Sequence, residues 1–533
     1  MKFYHLLCAM LALCILLCGC SGAQSNSSTQ DVGDNTASAG GYNMQLIYDQ
    51  TDTFNPFTAE SKQNKELCLL LYDPLVTIDS SFSPVFKVAQ SVSVSGKTCT
   101  IKLGSIKFSD GSALTANDVL YSLNLALSSP NYKHLLGNIY SKSVTDSSTV
   151  TITLHKADPY FANLLTFPII KAGSDELKSG DNLALPPIGC GRYTLNETQT
   201  ALIANKLYYG GDMNIKNINL INAPDAESAE HYVSTGAISV CYDDYSDSSV
   251  PRMSGVKKSV PLNNLVYIGV NMKNTFLKDK HLRYAISSAL DRTAAVKDAY
   301  YDNATAATGP FNPLWSEAEG FQTLQIESNK KIAIENLEKI GYNSIDNEGY
   351  RLNSSGKRVS LSLLVNSDNA ARMTLARLIV KQLAAVGLEI KIRAVPYSEY
   401  ISLLKSGSFE LYIAEVNLLC NMDLSQLVVP GGSMAFGISL PAAEKPEDDK
   451  AEQNAGTDGI NLTSGAAVQG FYEGKYTLGD VASAFISEMP IIPICYRNGV
   501  IMFTHKLKTE PQSSACDIFF DISNYSFNNQ EVK

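Results

Sequence analysis

Hydrophobic and polar positions follow two rhythms along this chain. Strict alternation marks residues 97–103 (KTCTIKL) and 149–154 (TVTITL), the period of half-buried strands. Residues 42–48 (YNMQLIY), 265–271 (LVYIGVN) and 489–496 (MPIIPICY) are nearly continuous apolar runs and read as buried strands. A helical period runs through residues 60–76 (ESKQNKELCLLLYDPLV) and through 279–301, where Leu282, Ala285, Ile286, Ala289 and Leu290 share one face of a single predicted helix. Residues 328–342 predict another helix, with Ser328 as N-cap and Gly341 as its stop. Residues 371–395 and 397–416 each read as helix, glycine (Gly387, Gly407), then strand. Helices alternating with strands in this way predict α/β units in the second half. The first half is sheet-rich and ends in a Pro- and Gly-laden bend, residues 183–195. Residues 441–465 read as a polar loop.

One polar stretch stands out: IKFSDGSALTANDVLYSL, residues 106–123. Its first three residues suit a strand end. Asp110 and Gly111 suit a turn. Thr115 and Asp118 are spaced as a capping box. Ala116, Val119, Leu120, Leu123 and Leu127 then fall on one helical face. Each polar residue thus has a backbone duty, which makes the cluster scaffold, not active site.

At 533 residues, with 45% hydrophobic and 18% charged residues, the chain has globular composition and length for about three domains. Its formal net charge of −10 argues against nucleic acid and against electrostatic docking on anionic lipid. The N-terminus carries Lys2, an apolar Leu6–Leu17 core and LCGC, Leu17 to Cys20. This reads as a signal peptide, residues 1–19, with a lipobox-like site that makes Cys20 the lipid anchor. Residues 20–41, rich in Ser, Gly, Asn and Thr after the cysteine, read as a disordered tether. Beyond Cys20 seven cysteines remain: 68, 99, 190, 241, 420, 495 and 516. They are scattered, lack a C-x-x-C spacing and are mostly flanked by apolar residues. That pattern predicts buried thiols in a reducing habitat and no zinc site.

Catalytic motifs are near-misses. SGKT, Ser95 to Thr98, lacks the earlier glycine of a phosphate loop and reads as a hairpin turn. GGSMA, Gly431 to Ala435, lacks the last glycine of a nucleophile elbow. The S-x-x-K matches at Ser254 and Ser354 lie in polar loops. His134, His155, His231, His281 and His505 show no i, i+4 pairing. No enzyme, catalytic residue, metal or cofactor is expected.

The ordered blocks nonetheless resemble a known family. Residues 106–123, the bend PIGCGRYTL (187–195, with Arg192 where proline is usual), residues 266–292, and the later blocks 333–342, 383–392 and 488–496 are together similar to the family 5 extracellular solute-binding lipoproteins, the dipeptide- and oligopeptide-binding subunits of ABC importers. The resemblance spans roughly residues 45–505. It implies an α/β, bilobed, periplasmic-binding-protein-like fold (class II, family 5 type) with an extra small domain and two crossing strands at the hinge. Lobe I would comprise residues 42–71, 185–265 and 500–533, its small second domain 72–184, and lobe II 266–499. The implied task is to capture a peptide between the lobes and present it to ABC permease subunits. The chain would act as a monomer tethered by lipid at the outer face of the cytoplasmic membrane or in the periplasm. A non-peptide solute (metal chelate or oligosaccharide) and a surface receptor without transport role are the alternatives. Ligand contacts are expected from Gln63 and Asn64, from Trp315, and from the segment 409–427, through Glu415, Asn417 and Leu418. Aligning that segment on the family places Val416 at its tryptophan and Leu419 at the aspartate that holds a peptide's free amine. Glu415 or Asp423 is then the candidate substitute.

Overall fold

The computed structural model describes residues 43–223, 225–244, 255–321, 326, 328–438 and 462–527. The predicted signal peptide, Cys20, the tether and most of the 441–465 loop lie outside these residues.

Three sheets organise the body. In the first, Met44–Tyr48 lies parallel to Asn217–Asn222, which continues antiparallel to Ala201–Ala204 and Tyr193–Leu195. The second is an antiparallel sheet in the order Ala89–Ser95, Thr98–Leu103, Thr149–Leu154, Ile139–Asp146. Its first hairpin turns at Gly96 and Lys97, so the SGKT tetrad is a hairpin connection, as predicted. The third has seven strands. Its path runs Val240–Asp243, Ile491–Phe503, Val256–Val270, Leu411–Asn417, Ser360–Asn366, Glu389–Val395, with Ala304–Ala306 added on Ile491–Phe503.

Two strands of this third sheet are unusually long. Val256–Val270 and Ile491–Phe503 pair antiparallel nearly throughout, with register breaks between Pro261 and Asn264 and between Val266 and Tyr267. Across the second break, alternate side chains of Val256–Val270 face opposite cores. Leu265 and Tyr267 pack into the larger core, while Val266, Ile268 and Val270 pack into the core under the helices of the second half. This pair of strands therefore packs against both cores.

The polar stretch 106–123 is scaffold. Asp118 Oδ2 accepts from the Thr115 amide (2.9 Å) and hydroxyl (2.7 Å), closing the capping box of Ala116–Ser128, and Oδ1 accepts from the Ala172 amide (3.0 Å). Asp110 accepts from Ser112 and from Lys171 Nζ (2.6 Å). Residues 106–108 do not form a strand end; Lys107 makes only an isolated bridge to Ala113.

Two helical readings need correction. Residues 279–301 form two helices, Lys280–Ala289 and Arg292–Tyr300, because Asp291 caps a new start by accepting from the Ala294 amide. The helix Lys330–Lys339 is capped by Asn329, not Ser328, whose hydroxyl instead donates to the Leu290 carbonyl. The helix–glycine–strand pairs appear as expected: Ala370–Ala384 then Glu389–Val395, and Tyr397–Ser406 then Leu411–Asn417.

The bend at 187–195 packs against the end of helix Lys62–Leu71. A Cβ on Gly189 would stand 2.3 Å from the Leu71 oxygen, and one on Gly191 would stand 2.4 Å from the Leu71 carbonyl carbon, so both positions require glycine. Arg192 follows, buried. Its Nη2 donates to Asp517 (2.9 Å) and to the Leu69 carbonyl (2.6 Å), and its Nη1 donates to the Phe519 carbonyl (2.6 Å). The arginine that replaces the usual proline thus ties down the segment after residue 503.

Candidate functional site

Most of the strand Ile491–Phe503 is apolar, and all of it is buried, yet it carries an arginine at its middle. Arg497 Nε and Nη2 both reach Glu415 Oε1, at 2.8 and 2.7 Å. Glu415 sits on Leu411–Asn417, across Val256–Val270, from which Asn264 Nδ2 also donates to Oε1 (2.8 Å). Arg372, in the first turn of Ala370–Ala384, lies 3.6 Å from the other carboxylate oxygen. Arg497 Nη1 donates to the Asp244 carbonyl. One carboxylate therefore faces two guanidinium groups where the long strands pair. The Tyr300 hydroxyl is buried with no hydrogen-bond partner among the described residues. Burial pushes it far above its ordinary titration range, so it stays a neutral donor.

Helix Lys62–Leu71 supplies a second polar group. Ser61 caps it, accepting from the Asn64 amide. Lys62 Nζ donates to the Tyr242 carbonyl (2.7 Å) and lies 3.6 Å from Asp243. One turn on, Glu66 has a buried oxygen without a partner among the described residues. Burial pushes its carboxyl up to about 8; Lys62 opposes that shift, while Asp243 and Asp244 reinforce it.

Away from these strands, residues 156–163 meet residues 420–423 along a seam. Lys156 Nζ pairs with Asp423 (3.1 Å) and lies 3.8 Å from the centre of the Tyr472 ring. Asn421 Nδ2 donates to Asp158 (2.8 Å), and Asn163 Nδ2 donates to the Cys420 carbonyl (3.0 Å). Trp315 packs edge-on against Tyr160 (5.2 Å) and Phe311 (5.4 Å).

The residues named from sequence separate into distinct settings. Glu415 stands in the arginine cluster, and Asn417 is exposed at the end of the same strand, opposite Asn264. Leu418 is buried, its amide bonded to the Asn263 carbonyl. Gln63 is half-buried beside Lys62. Asn64 is fully buried: its amide oxygen accepts from the Asp49 amide, and its amide nitrogen donates to the carbonyls of Asp49 and Thr53. Its side chain is spent on the fold, because it lies on the helix face turned to the core. Trp315, at 2% exposure, is core packing at the seam. Arg497, Arg372 and Lys156 were missed. A lone arginine within an apolar strand run is the signal that would have found Arg497. Among the described residues, no group of three or more His, Cys, Asp or Glu side chains is placed to hold a metal ion, and no helix is long and apolar enough to cross a membrane.

Residues 54–423 match the family model described as bacterial extracellular solute-binding proteins, family 5, middle. The chain is 26% identical over 420 residues to the oligopeptide-binding protein AppA of Bacillus subtilis, covering 74% of this chain and 77% of that one. Its fold is similar to that of an ABC transporter substrate-binding protein from Sinorhizobium meliloti (TM-score 0.70, 18% identity, 91% and 99% of the two chains). It is also similar to NikA from Brucella suis, solved with Fe(III)-EDTA (TM-score 0.64, 18% identity, 91% and 100%). These neighbours share a bilobed α/β architecture, and the family is one of solute-binding proteins, not of enzymes. On the match across residues 54–423, this chain belongs to the family 5 bacterial extracellular solute-binding proteins.

Proposed function

We propose that this chain is the solute-capturing subunit of an ABC importer, that it takes peptides between its halves, and that it passes them to a membrane permease. It performs no covalent chemistry. The name of the Bacillus subtilis relative supports a peptide ligand. One structural observation supports it independently. Leu411–Asn417 pairs along its whole length with Val256–Val270, but meets Ser360–Asn366 only through Leu411 and Tyr412. From Ala414 onward, the far edge of this strand has no strand partner among the described residues, which suits an extended peptide adding itself by backbone hydrogen bonds. Such a ligand would pass beside Glu415 and Asn417.

Leu419 stands where the family holds a free amine, and both substitutes are engaged: Glu415 by Arg497 and Asp423 by Lys156. The free N-terminus is therefore dispensable, and the surplus guanidinium of Arg372 takes a ligand carboxylate. The same surplus charge favours a second reading, an anionic metal chelate, the class represented by the NikA complex. Cys20 carries the lipid, and the 20–41 tether holds the body outside the membrane; the mature N-terminal mass of Cys20→Ala, lacking diacylglycerol, checks this.

The ligand test is thermal. A ligand at about 100 times its dissociation constant stabilises the folded body by roughly 2.7 kcal/mol. A library of short peptides is expected to raise the melting temperature, and N-acetylated peptides to do so equally. Loss of the shift on acetylation would put a carboxylate back on the amine. A shift with metal chelates and none with peptides would replace the peptide reading with the second.

A further inference from the structure

Cys420 and Cys516 stand 96 residues apart in sequence, yet their sulfur atoms are 3.8 Å apart. The scattered appearance of the cysteines in sequence is misleading here. Cys68, Cys99, Cys190 and Cys495 are buried, whereas Cys420 and Cys516 are each partly exposed. They also come from different segments, Cys420 after the strand Leu411–Asn417 and Cys516 in the stretch after residue 503. Cys420 lies in the loop leaving Leu411–Asn417, at the seam, with its carbonyl held by Asn163 and its neighbour Asn421 bonded to Asp158. Cys516 precedes Asp517, which the buried Arg192 holds, and Lys87 lies over the Phe520 ring nearby. A disulfide needs the sulfurs at about 2.05 Å, so the approach still required is under about 2 Å. The thiol–thiol hydrogen bond also divides the pair: it holds Cys420 below its ordinary range and drives Cys516 well above its own. The thiolate is the attacking form, so whichever of the two thiols ionises attacks first.

We propose that Cys420 and Cys516 form a reversible redox staple across the seam, closed by exchange with a disulfide oxidant. One of the two, as its thiolate, attacks one sulfur of the oxidant, forming a mixed disulfide and expelling the other sulfur as a thiolate. The second protein thiol, losing its proton to solvent, then attacks the first cysteine's sulfur and expels the remaining oxidant thiolate. Two protein thiols are oxidised and one external disulfide is reduced, so the electrons balance. The bond pins the Asn163 and Asp158 contacts in place, and the seam cannot part there. Formation of the bond is independent of the importer reading; its consequence, slowed solute exchange, rests on that reading.

The purified full chain, treated with oxidised glutathione and then alkylated under native conditions, tests the chemistry. Peptide mapping by mass spectrometry is expected to find Cys420 linked to Cys516, two hydrogens lighter than the reduced pair. In Cys516→Ser, Cys420 is expected to stay as the glutathione mixed disulfide. Alkylation of both thiols after oxidation, or a link from Cys420 to any other cysteine, overturns the staple. Trp315, the sole tryptophan, packs on Tyr160 at the seam and reports whether the bond spans it. Oxidation is expected to raise the urea midpoint of its fluorescence change in the native sequence and to leave Cys516→Ser unmoved. An unchanged midpoint in the linked protein overturns the cross-seam role while leaving solute binding untouched.

Discussion

Two polar clusters in this molecule look alike in sequence and behave differently in the fold. In the turn and helix start around Asp110 and Asp118, the hydrogen bonds of both carboxylates go to nearby backbone, a hydroxyl or one lysine, so the charge is balanced locally. Where the long strands pair, Glu415 answers two arginines, and among the described residues the Tyr300 hydroxyl lacks a partner, as does one Glu66 oxygen on helix Lys62–Leu71. The first cluster completes a structure. Among the described residues, the second leaves hydrogen-bonding capacity over, at a desolvation cost. Satisfaction of polar groups separates the two better than their composition does.

That contrast can be broken at several points. The largest effect is expected from Arg497→Met, which leaves Glu415 beside Asn264 and Arg372 alone. Removing one partner of a buried pair costs about 3–5 kcal/mol, read from urea unfolding. Adding Glu415→Gln is expected to recover much of that loss; if it does not, Arg497 acts through packing, not through the pair. Glu66→Gln comes next. Its folded carboxyl titrates at about 8, above the usual value of 4.5, so the folded state binds the extra proton. Stability from this group is therefore full below about pH 4.5 and falls as pH rises through about 8. Glu66→Gln is expected to match the native protein at pH 5 and to melt a few degrees higher, roughly, at pH 9. An equal shift at both pH values would mean that Glu66 is not buried as a neutral acid.

Asp118→Ala belongs to the other cluster. It removes a helix cap and a tie to Ala172, and is expected to cost about 1–2 kcal/mol while leaving peptide-induced melting shifts intact. A loss of binding without a loss of stability would make the turn part of the site. The smallest effect is expected from Lys171→Met. Burial raises the Asp110 carboxyl, but hydrogen bonds from Lys171 and Ser112 outweigh it and hold the group down at about 2. Its stabilisation is thus present above about pH 4 and lost as pH falls toward 2. The pair is part-exposed, so at neutral pH the change is expected to cost no more than about 1 kcal/mol and to vanish in high salt, by melting at two ionic strengths.

Local order was legible where the chain states it locally. Gly387 and Gly407 mark where helices stop before strands, and Thr115 and Asp118 announced their helix. The break at Leu290 was hidden, because its apolar face continues through a residue that ends one helix while Asp291 starts the next. Asn64 and Gln63 could not be told apart in sequence; only the packing of the helix decides which one faces the core. The site was less legible still. Glu415 was named without its partners, because Arg497 lies 82 residues away and Arg372 on another element. No periodicity encodes a pairing of that separation.

The Arg192–Asp517 tie bears on the order in which the molecule can be completed. Arg192 lies in the first half of the chain, while its carboxylate and the Phe519 carbonyl that also receives it come 325 and 327 residues later. A chain emerging from the ribosome exposes a guanidinium destined for burial long before either acceptor exists. The half containing Arg192 can therefore assemble its sheets early but seal only when residues 517–519 arrive.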